Sequence, residues 1–187
     1  MKTNFLVRWL LLCLVLAVVA GSTITVCAYP TYFSLSVPSE KQEMSNTCWA
    51  ACGTAVVRYY NKTVTQRNFI ISVFNSYVNY PVSMQTLQGG LSNFGIHSSV
   101  ISAALSFTQI RSNTYNYERP MIAGLQWTNN TGHVVVIRGY SEDPNLGENI
   151  VEYMDPADGR TYSALYSTFV SSANHSWAES LNQIYPN

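Results

Sequence analysis

The chain has 187 residues, with 10 Lys and Arg against 10 Asp and Glu, so its formal net charge is zero. Two of the basic residues, Lys2 and Arg8, belong to an apolar N-terminal stretch, and without them the chain keeps 8 basic and 10 acidic residues, a net charge near −2. The remaining length suits one domain with a proper core. The sequence contains no run of basic residues, so we expect no binding of nucleic acid or of an anionic membrane surface.

The N-terminal segment has the three parts of an export signal. Lys2 and Arg8 form a basic start, twelve unbroken apolar residues follow, and small residues lead to an A-x-A-like site at Ala28. This pattern predicts a signal peptide over residues 1–28, cleaved near Ala28, and a secreted, extracellular domain over residues 29–187. The alternative is an uncleaved membrane anchor, which the polar residues after the apolar run disfavour. After cleavage we expect no stable membrane contact.

Helical spacing of apolar residues dominates the first half of the domain. A short extended segment, "YFSLSVPSE", comes first. Asn46 or Thr47 then offers an N-cap for a helix over "CWAACGTAVVRYYN". Thr65 and Ser83 offer caps for two more helices, over "QRNFIISVFNSYV" and "MQTLQGGLSNFG", the second ending at Gly95. The segment "IHSSVIS" has an extended pattern, and "SFTQIRSNTYNY" predicts a short helix.

The second half changes to the alternation and β-branched content of strands. Five segments have this pattern: "PMIAGLQW", "HVVVIRGY", "ENIVEYMDP", "TYSAL" and "HSWAESLNQIY". The turns "TNNTG" and "ADGR" separate neighbours closely enough for antiparallel pairing. Helices followed by an antiparallel sheet predict an α+β fold, with the two halves facing each other across a cleft.

Cys48 and Cys52 are the two cysteines outside the predicted signal peptide. They could form a redox pair, half of a metal site or a bridge, or they could be one nucleophile and a bystander. A redox motif is C-x-x-C and not C-x-x-x-C, and side chains four residues apart on a helix seldom meet disulfide geometry. Three histidines and no second cysteine pair disfavour structural zinc. We therefore expect Cys52 to be a buried inert thiol, and the protein to hold no metal or other cofactor.

Cys48 is expected in the first turn of its helix. Free backbone N–H groups and the helix dipole favour an anion there. A thiolate in that place, beside a protonated imidazole, is an activated nucleophile. Acyl transfer also needs donors to the oxyanion, and Gln42, six residues upstream, can place its side-chain amide beside the Cys48 backbone N–H.

His133 could supply the imidazole, because it begins a strand apolar enough to be central. A single histidine in such a place is more often an ordinary structural residue. Asp155 ends the next strand, 22 residues on, so antiparallel pairing would bring its carboxylate close enough to orient His133. Asp-Pro is also a common turn opener, and Asp158, in an Asp-Gly turn, ranks lower. His97 and His175 lack supporting context, and we expect both to be structural.

Several short motifs taken together resemble the papain-like cysteine proteases. These are Gln42, the "CWAA" that begins at Cys48, the "GHVVVIRGY" around His133 and the "DP" at Asp155. The six-residue gap from Gln42 to Cys48 matches that family. The 85-residue interval from Cys48 to His133 is shorter than in plant and lysosomal papains. The chain is therefore most similar to the compact bacterial avirulence-effector type, with kinship to staphopains and bacteriocin-processing peptidases.

This resemblance implies a papain-like fold, with an N-terminal helical half packed against a C-terminal antiparallel sheet and the active site between them. It makes Cys48 the nucleophile, His133 the general base and acid, Asp155 the orienting residue and Gln42 the donor in the oxyanion hole. It also implies a secreted endopeptidase that acts on protein or peptide substrates, needs no cofactor and is a monomer.

Two other functions fit the same residues. The site could perform acyl transfer or amide hydrolysis on a non-protein substrate, or the protein could be a catalytically silent module that binds peptides. Loop conformations determine which side chains form the cleft walls. We expect Leu87, Trp127 and Trp177 to line the cleft.

Overall fold

The computed structural model describes residues 29–143, 145 and 147–187. The predicted signal peptide over residues 1–28 lies outside these described residues. Within the described ranges, no helix is long and apolar enough to cross a membrane.

Three helices form the first half, as the apolar spacing predicted. Thr65 and Ser83 act as N-caps, because their hydroxyls accept hydrogen bonds from backbone N–H groups three residues on. Gly95, the predicted helix stop, lies three residues past the third helix and has a φ of 66°, which turns the chain into the next strand. The helices are α1 (Cys48–Tyr59), α2 (Gln66–Phe74) and α3 (Met84–Ser92).

Two shorter helices lie within the second half. α4 (Phe107–Arg111) begins at a capping box of Ser106 and Gln109 and continues into a π-helical turn over Ser112–Asn116. α5 (Tyr166–Val170) was not predicted. It is five residues long, has no side-chain cap and contains β-branched and aromatic residues, so neither periodicity nor helix propensity marks it in the sequence.

All seven described strands join one antiparallel sheet, which confirms the predicted α+β class. The order is β2-β7-β3-β4-β5-β6, and β1 pairs with the end of β4. Strand β4 is central, between β3 and β5. The strands are β1 (Tyr32–Ser34), β2 (Ile96–Ile101), β3 (Met121–Trp127), β4 (Gly132–Asp143), β5 (Glu148–Asp155), β6 (Arg160–Leu165) and β7 (His175–Pro186).

The sheet has an apolar cluster on each face. Val136 packs with the helical half, whereas its neighbour Val135 packs with α4 and α5 on the other side, as strand alternation requires. Helix α1 is buried around most of its circumference, because Ala, Cys, Gly and Val allow close approach to its neighbours. The packing of α1 against β4 fixes the position of Cys48, at the start of α1, relative to His133, at the start of β4.

Gly53 in α1 allows the close approach of α2. A Cβ at this position would overlap the buried Phe69 ring. We expect Gly53→Ala to lower the free energy of unfolding by about 1–3 kcal/mol through overpacking, although alanine is the better helix former. Gly89→Ala in α3 is the control, because a Cβ there meets nothing within 4 Å and should stabilise the helix by up to about 1 kcal/mol. Urea unfolding measures both, and equal stability of Gly53→Ala and the wild type would contradict this account.

Candidate active site

Cys48 is the first residue of α1, and it lines a cleft between the helices and the sheet. Thr47 takes the predicted N-cap position, but within the described chain no side chain caps the helix. The Thr47 hydroxyl instead accepts from the Met44 backbone N–H and donates to the Met44 carbonyl, both at 3.0 Å. The first turn also contains no acidic residue. The positive end of the helix dipole is therefore available to an anion at Cys48.

His133, the second residue of β4, lies between Cys48 and Asp155. Its Nε2 is 2.7 Å from Oδ1 of Asp155, the last residue of β5. The backbone N–H of Ala157 also donates to that oxygen, at 2.9 Å. The Cys48 side chain also interacts with the His133 ring, and because Nε2 faces Asp155, Nδ1 is the ring nitrogen toward the thiol. Antiparallel pairing of β4 and β5 brings His133 and Asp155 together, and the packing of α1 against β4 adds Cys48.

The environment of His133 favours its charged form. Burial lowers the pKa of His133, but hydrogen-bonding and charge interactions with Asp155 and Cys48 together outweigh burial and raise the pKa from 6.5 to about 9. For Asp155, burial raises the pKa, but the hydrogen bonds from His133 and Ala157 prevail and lower it below 3.8. An imidazolium beside a carboxylate is therefore the expected state of this pair at neutral pH.

Cys52 lies one turn below Cys48 and is a free thiol with no exposed surface, as predicted. Its Sγ donates to the carbonyl of Val134, at 3.4 Å. Burial, followed by the charges of Cys48 and Asp155, raises the pKa of Cys52 well above its ordinary value. Cys52 is therefore shielded from solvent, and its hydrogen bond to Val134 joins α1 to β4. Across the described ranges, no group of three or more His, Cys, Asp or Glu side chains is placed to hold a metal ion.

Gln42 also lines the cleft, in the loop before α1. Its backbone N–H donates to the carbonyl of Pro156, which follows Asp155. Its side-chain Nε2 donates to the carbonyls of Met44 at 2.8 Å and Ser45 at 3.1 Å. Both amide hydrogens thus face loop carbonyls, so donation to an oxyanion would require exchange of one bond, and the longer bond to Ser45 is the weaker.

The cleft has a volume of about 620 Å³. The predicted wall residues Leu87, Trp127 and Trp177 do not line it. Leu87 is buried in the helical core, Trp177 packs in the cluster on the far face of the sheet, and Trp127 stacks edge-on against His175. The wall includes Met84, Gly124 and Glu179, which were not among the predicted cleft residues.

The other two histidines, His97 and His175, do not line the cleft. His97 is exposed and stacks against Tyr185. The ring of His175 bonds to the Ser172 hydroxyl and to the Phe169 carbonyl.

Comparisons with solved structures show the fold. The double glycine motif protease of an AMS/PCAT transporter, solved in complex with a leader peptide, matches 83% of this chain and 95% of its own, with 18% identity and a TM-score of 0.59. A putative C39-like peptidase from Bacillus anthracis matches 84% and 99%, with 12% identity and a TM-score of 0.60. Digestive procathepsin L 3 of Tenebrio molitor matches 87% and 71%, with 9% identity and a TM-score of 0.56. The fold is thus papain-like.

The family comparison covers most of the domain. Among curated proteins, none matches the chain. A sequence profile for the papain-like cysteine protease AvrRpt2 matches residues 31–174. This range contains Gln42, Cys48, His133 and Asp155, and of the cleft residues it leaves out only Ala178 and Glu179 on β7. The chain therefore belongs to the AvrRpt2 family of papain-like cysteine proteases and is a cysteine-type peptidase.

Proposed function

We propose that the protein is an endopeptidase that cleaves peptide bonds through a thioester on Cys48, with His133 as general base and acid. The observation that supports this most is the arrangement of Asp155, hydrogen-bonded to His133, and of His133 beside Cys48, at a cleft that both Cys48 and His133 line. A peptide substrate also fits the structural relative that was solved with a leader peptide.

In this mechanism the Cys48 thiolate attacks the substrate carbonyl carbon. The tetrahedral intermediate collapses, the C–N bond breaks, and imidazolium Nδ1–H of His133 protonates the leaving amine. Neutral His133 then takes a proton from water, whose oxygen attacks the thioester. Breakage of the C–S bond releases the acid and restores the Cys48–His133 pair. Asp155 holds the ring and stabilises its charged form throughout.

Gln42 is proposed to donate to the oxyanion together with the Cys48 backbone N–H. We expect Gln42→Ala to lower kcat about 10²–10³-fold, because the donor that the amide can offer after exchanging its bond to Ser45 is lost. Gln126→Ala is the matched control: Gln126 lines the same cleft, but its amide donates to the Trp127 and Thr131 carbonyls near the cleft edge. Steady-state kinetics on one peptide would compare them, and equal losses in both variants would remove Gln42 from the oxyanion hole.

The experiment that tests the function is digestion of a denatured protein mixture in H₂¹⁸O by the reduced protein and by Cys48→Ala. We expect new carboxyl termini that carry ¹⁸O, seen by mass spectrometry, and none with Cys48→Ala. Products that lack ¹⁸O but carry an added amine would instead indicate an acyltransferase. Peptide binding without cleavage by the wild type would indicate a silent binding module.

Export is the second part of the proposal. It is supported by the basic start, the apolar run and the small-residue site at Ala28. When the full chain is expressed in a host with a general secretion pathway, we expect protein in the medium whose N-terminal sequence begins at or near Tyr29. Full-length protein retained in the membrane fraction would favour the uncleaved anchor.

A further inference from the structure

Glu179 is an unusual residue in the cleft wall. In the part of the chain that the structure describes, it is the one titratable side chain besides Cys48 and His133 that lines the cleft. It is half-buried, and its carboxylate has no ion-pair or hydrogen-bond partner among the described residues. Glu179 therefore offers, in the wall of the cleft, an acidic side chain without a partner in the described part of the chain.

A β-bulge directs this side chain into the cleft. Glu179 pairs with Gly124 on β3, but Trp177 pairs with the next residue, Leu125, so Ala178 is extra on β7. The indole N–H of Trp177 donates to the Glu179 carbonyl at 2.8 Å, a hydrogen bond that spans the bulge and stabilises it. Successive residues of a regular strand face opposite sides, yet Ala178 and Glu179 both line the cleft. Bulges re-aim side chains in this way next to active sites.

Met84 gives this part of the wall an apolar surface beside the carboxylate. A Cβ on Gly124 would lie 2.8 Å from Cε of Met84 and 3.5 Å from Cβ of Glu179. The absent side chain at Gly124 therefore lets the Met84 methyl group lie against β3, next to Glu179. Lys and Arg side chains bury an aliphatic stem and keep a charged end in water. Such a side chain could pack its stem on Met84 and place its cation beside the Glu179 carboxylate.

The sheet register places Glu179 within reach of a bound peptide. Leu125, next to Gly124, pairs with His133 on the far side of β3. Glu179 and His133 are thus separated by one intervening strand, and their backbones lie about 10 Å apart. An extended peptide advances about 3.3 Å per residue, so the contact falls within about three residues of the scissile bond.

We propose that Glu179 is a specificity-determining residue that selects a Lys or Arg side chain of the peptide substrate at one position close to the scissile bond. This inference rests on the proposed peptidase function. It predicts that acidic side chains at the same position are rejected by the unpaired carboxylate.

The test is a set of peptides with Lys, Arg, norleucine or Glu at each of three positions on either side of one cleavage site. At one position we expect the wild type to favour Lys and Arg over norleucine about fivefold in kcat/KM, with Glu the poorest. Glu179→Gln should abolish the difference between Lys and norleucine, and Glu179→Lys should make Glu the favoured residue. Glu148→Gln, which removes an exposed acid at the start of β5, should leave the preference intact.

Two further measurements separate this inference from the function it rests on. Labelling of Cys48 by an epoxide checks that each variant keeps its active site. Binding of the same peptides to Cys48→Ala, followed by fluorescence anisotropy with and without Glu179→Gln, tests the charge preference even if no peptide is cleaved. A basic preference that survives Glu179→Gln, or the absence of any preference in both assays, would overturn the assignment.

Discussion

Alkylation of the reduced protein with a papain-type epoxide near pH 6 is expected to add one group, on Cys48, and His133→Ala is expected to slow the addition about 10²–10⁴-fold. The His133 imidazolium beside Cys48 can take up the charge of the attacking sulfur and can donate a proton to the opening epoxide. Cys52 should stay unlabelled, because it has no exposed surface and burial raises its pKa. Peptide mass mapping at timed intervals gives both the site and the rate.

His97→Ala is the control for this experiment. The His97 ring is exposed and stacks on Tyr185, away from the cleft, so its removal should leave the labelling rate within about twofold of the wild type. A Cys52→Ala variant should label at the wild-type position. Equal slow labelling of Cys48 and Cys52, or a rate that does not depend on His133, would exclude the activated thiolate and leave peptide binding as the working function.

The parts of the site that could be predicted are those set by local pattern and simple pairing. The position of Cys48 followed from the apolar period of its helix. The contact between His133 and Asp155 followed because antiparallel neighbours bring the end of one strand beside the start of the other. Thr65 and Ser83 marked two helix starts, because a cap is a local hydrogen bond.

The parts that escaped prediction depend on register and on long-range packing. Nothing in "HSWAESLNQIY" shows that Ala178 is the extra residue of a bulge, since the bulge exists only against the partner strand β3. Glu179 was therefore unmarked as a cleft residue. Leu87 was misplaced for a related reason: its spacing shows that it faces inward but not whether it meets the core or the cleft. The Thr47 hydroxyl failed to cap because it bonds to the preceding loop, a choice between two local partners that residue type alone does not decide.

Asp155→Asn is expected to move the basic limb of the pH dependence of kcat/KM to lower pH. In the wild type this limb should lie near pH 9, where His133 loses the proton that the leaving amine needs. Asparagine can still accept the Nε2–H bond, but it lacks the negative charge that raises the pKa of His133, whereas the lowering by burial remains. The pH profile of the variant, measured from pH 5 to 10 on one peptide, checks the shift.

Stability should follow the same linkage. Because the pKa of His133 is raised from 6.5 to about 9 on folding, its contribution to the free energy of unfolding is fully present below pH 6.5 and is lost as the pH rises through about 9. That contribution is at most about 3 kcal/mol. This contribution should be smaller in Asp155→Asn. The free energy of unfolding in urea should therefore change less between pH 6 and pH 9.5 for the variant than for the wild type.

Asp158→Asn separates these effects from a general change of charge. The Asp158 carboxylate is close in sequence, but it accepts from the Tyr162 hydroxyl and from the Arg160 backbone N–H, and it does not contact His133. We expect its pH profile and its stability difference to match the wild type. Equal shifts of the basic limb in Asp155→Asn and Asp158→Asn would mean that the pKa of His133 depends on the total charge of the turn. The role of Asp155 as the specific partner of His133 would then be wrong. A shift confined to Asp155→Asn, with activity retained, would show that the carboxylate acts through its charge and that orientation of the ring needs only an acceptor at that position.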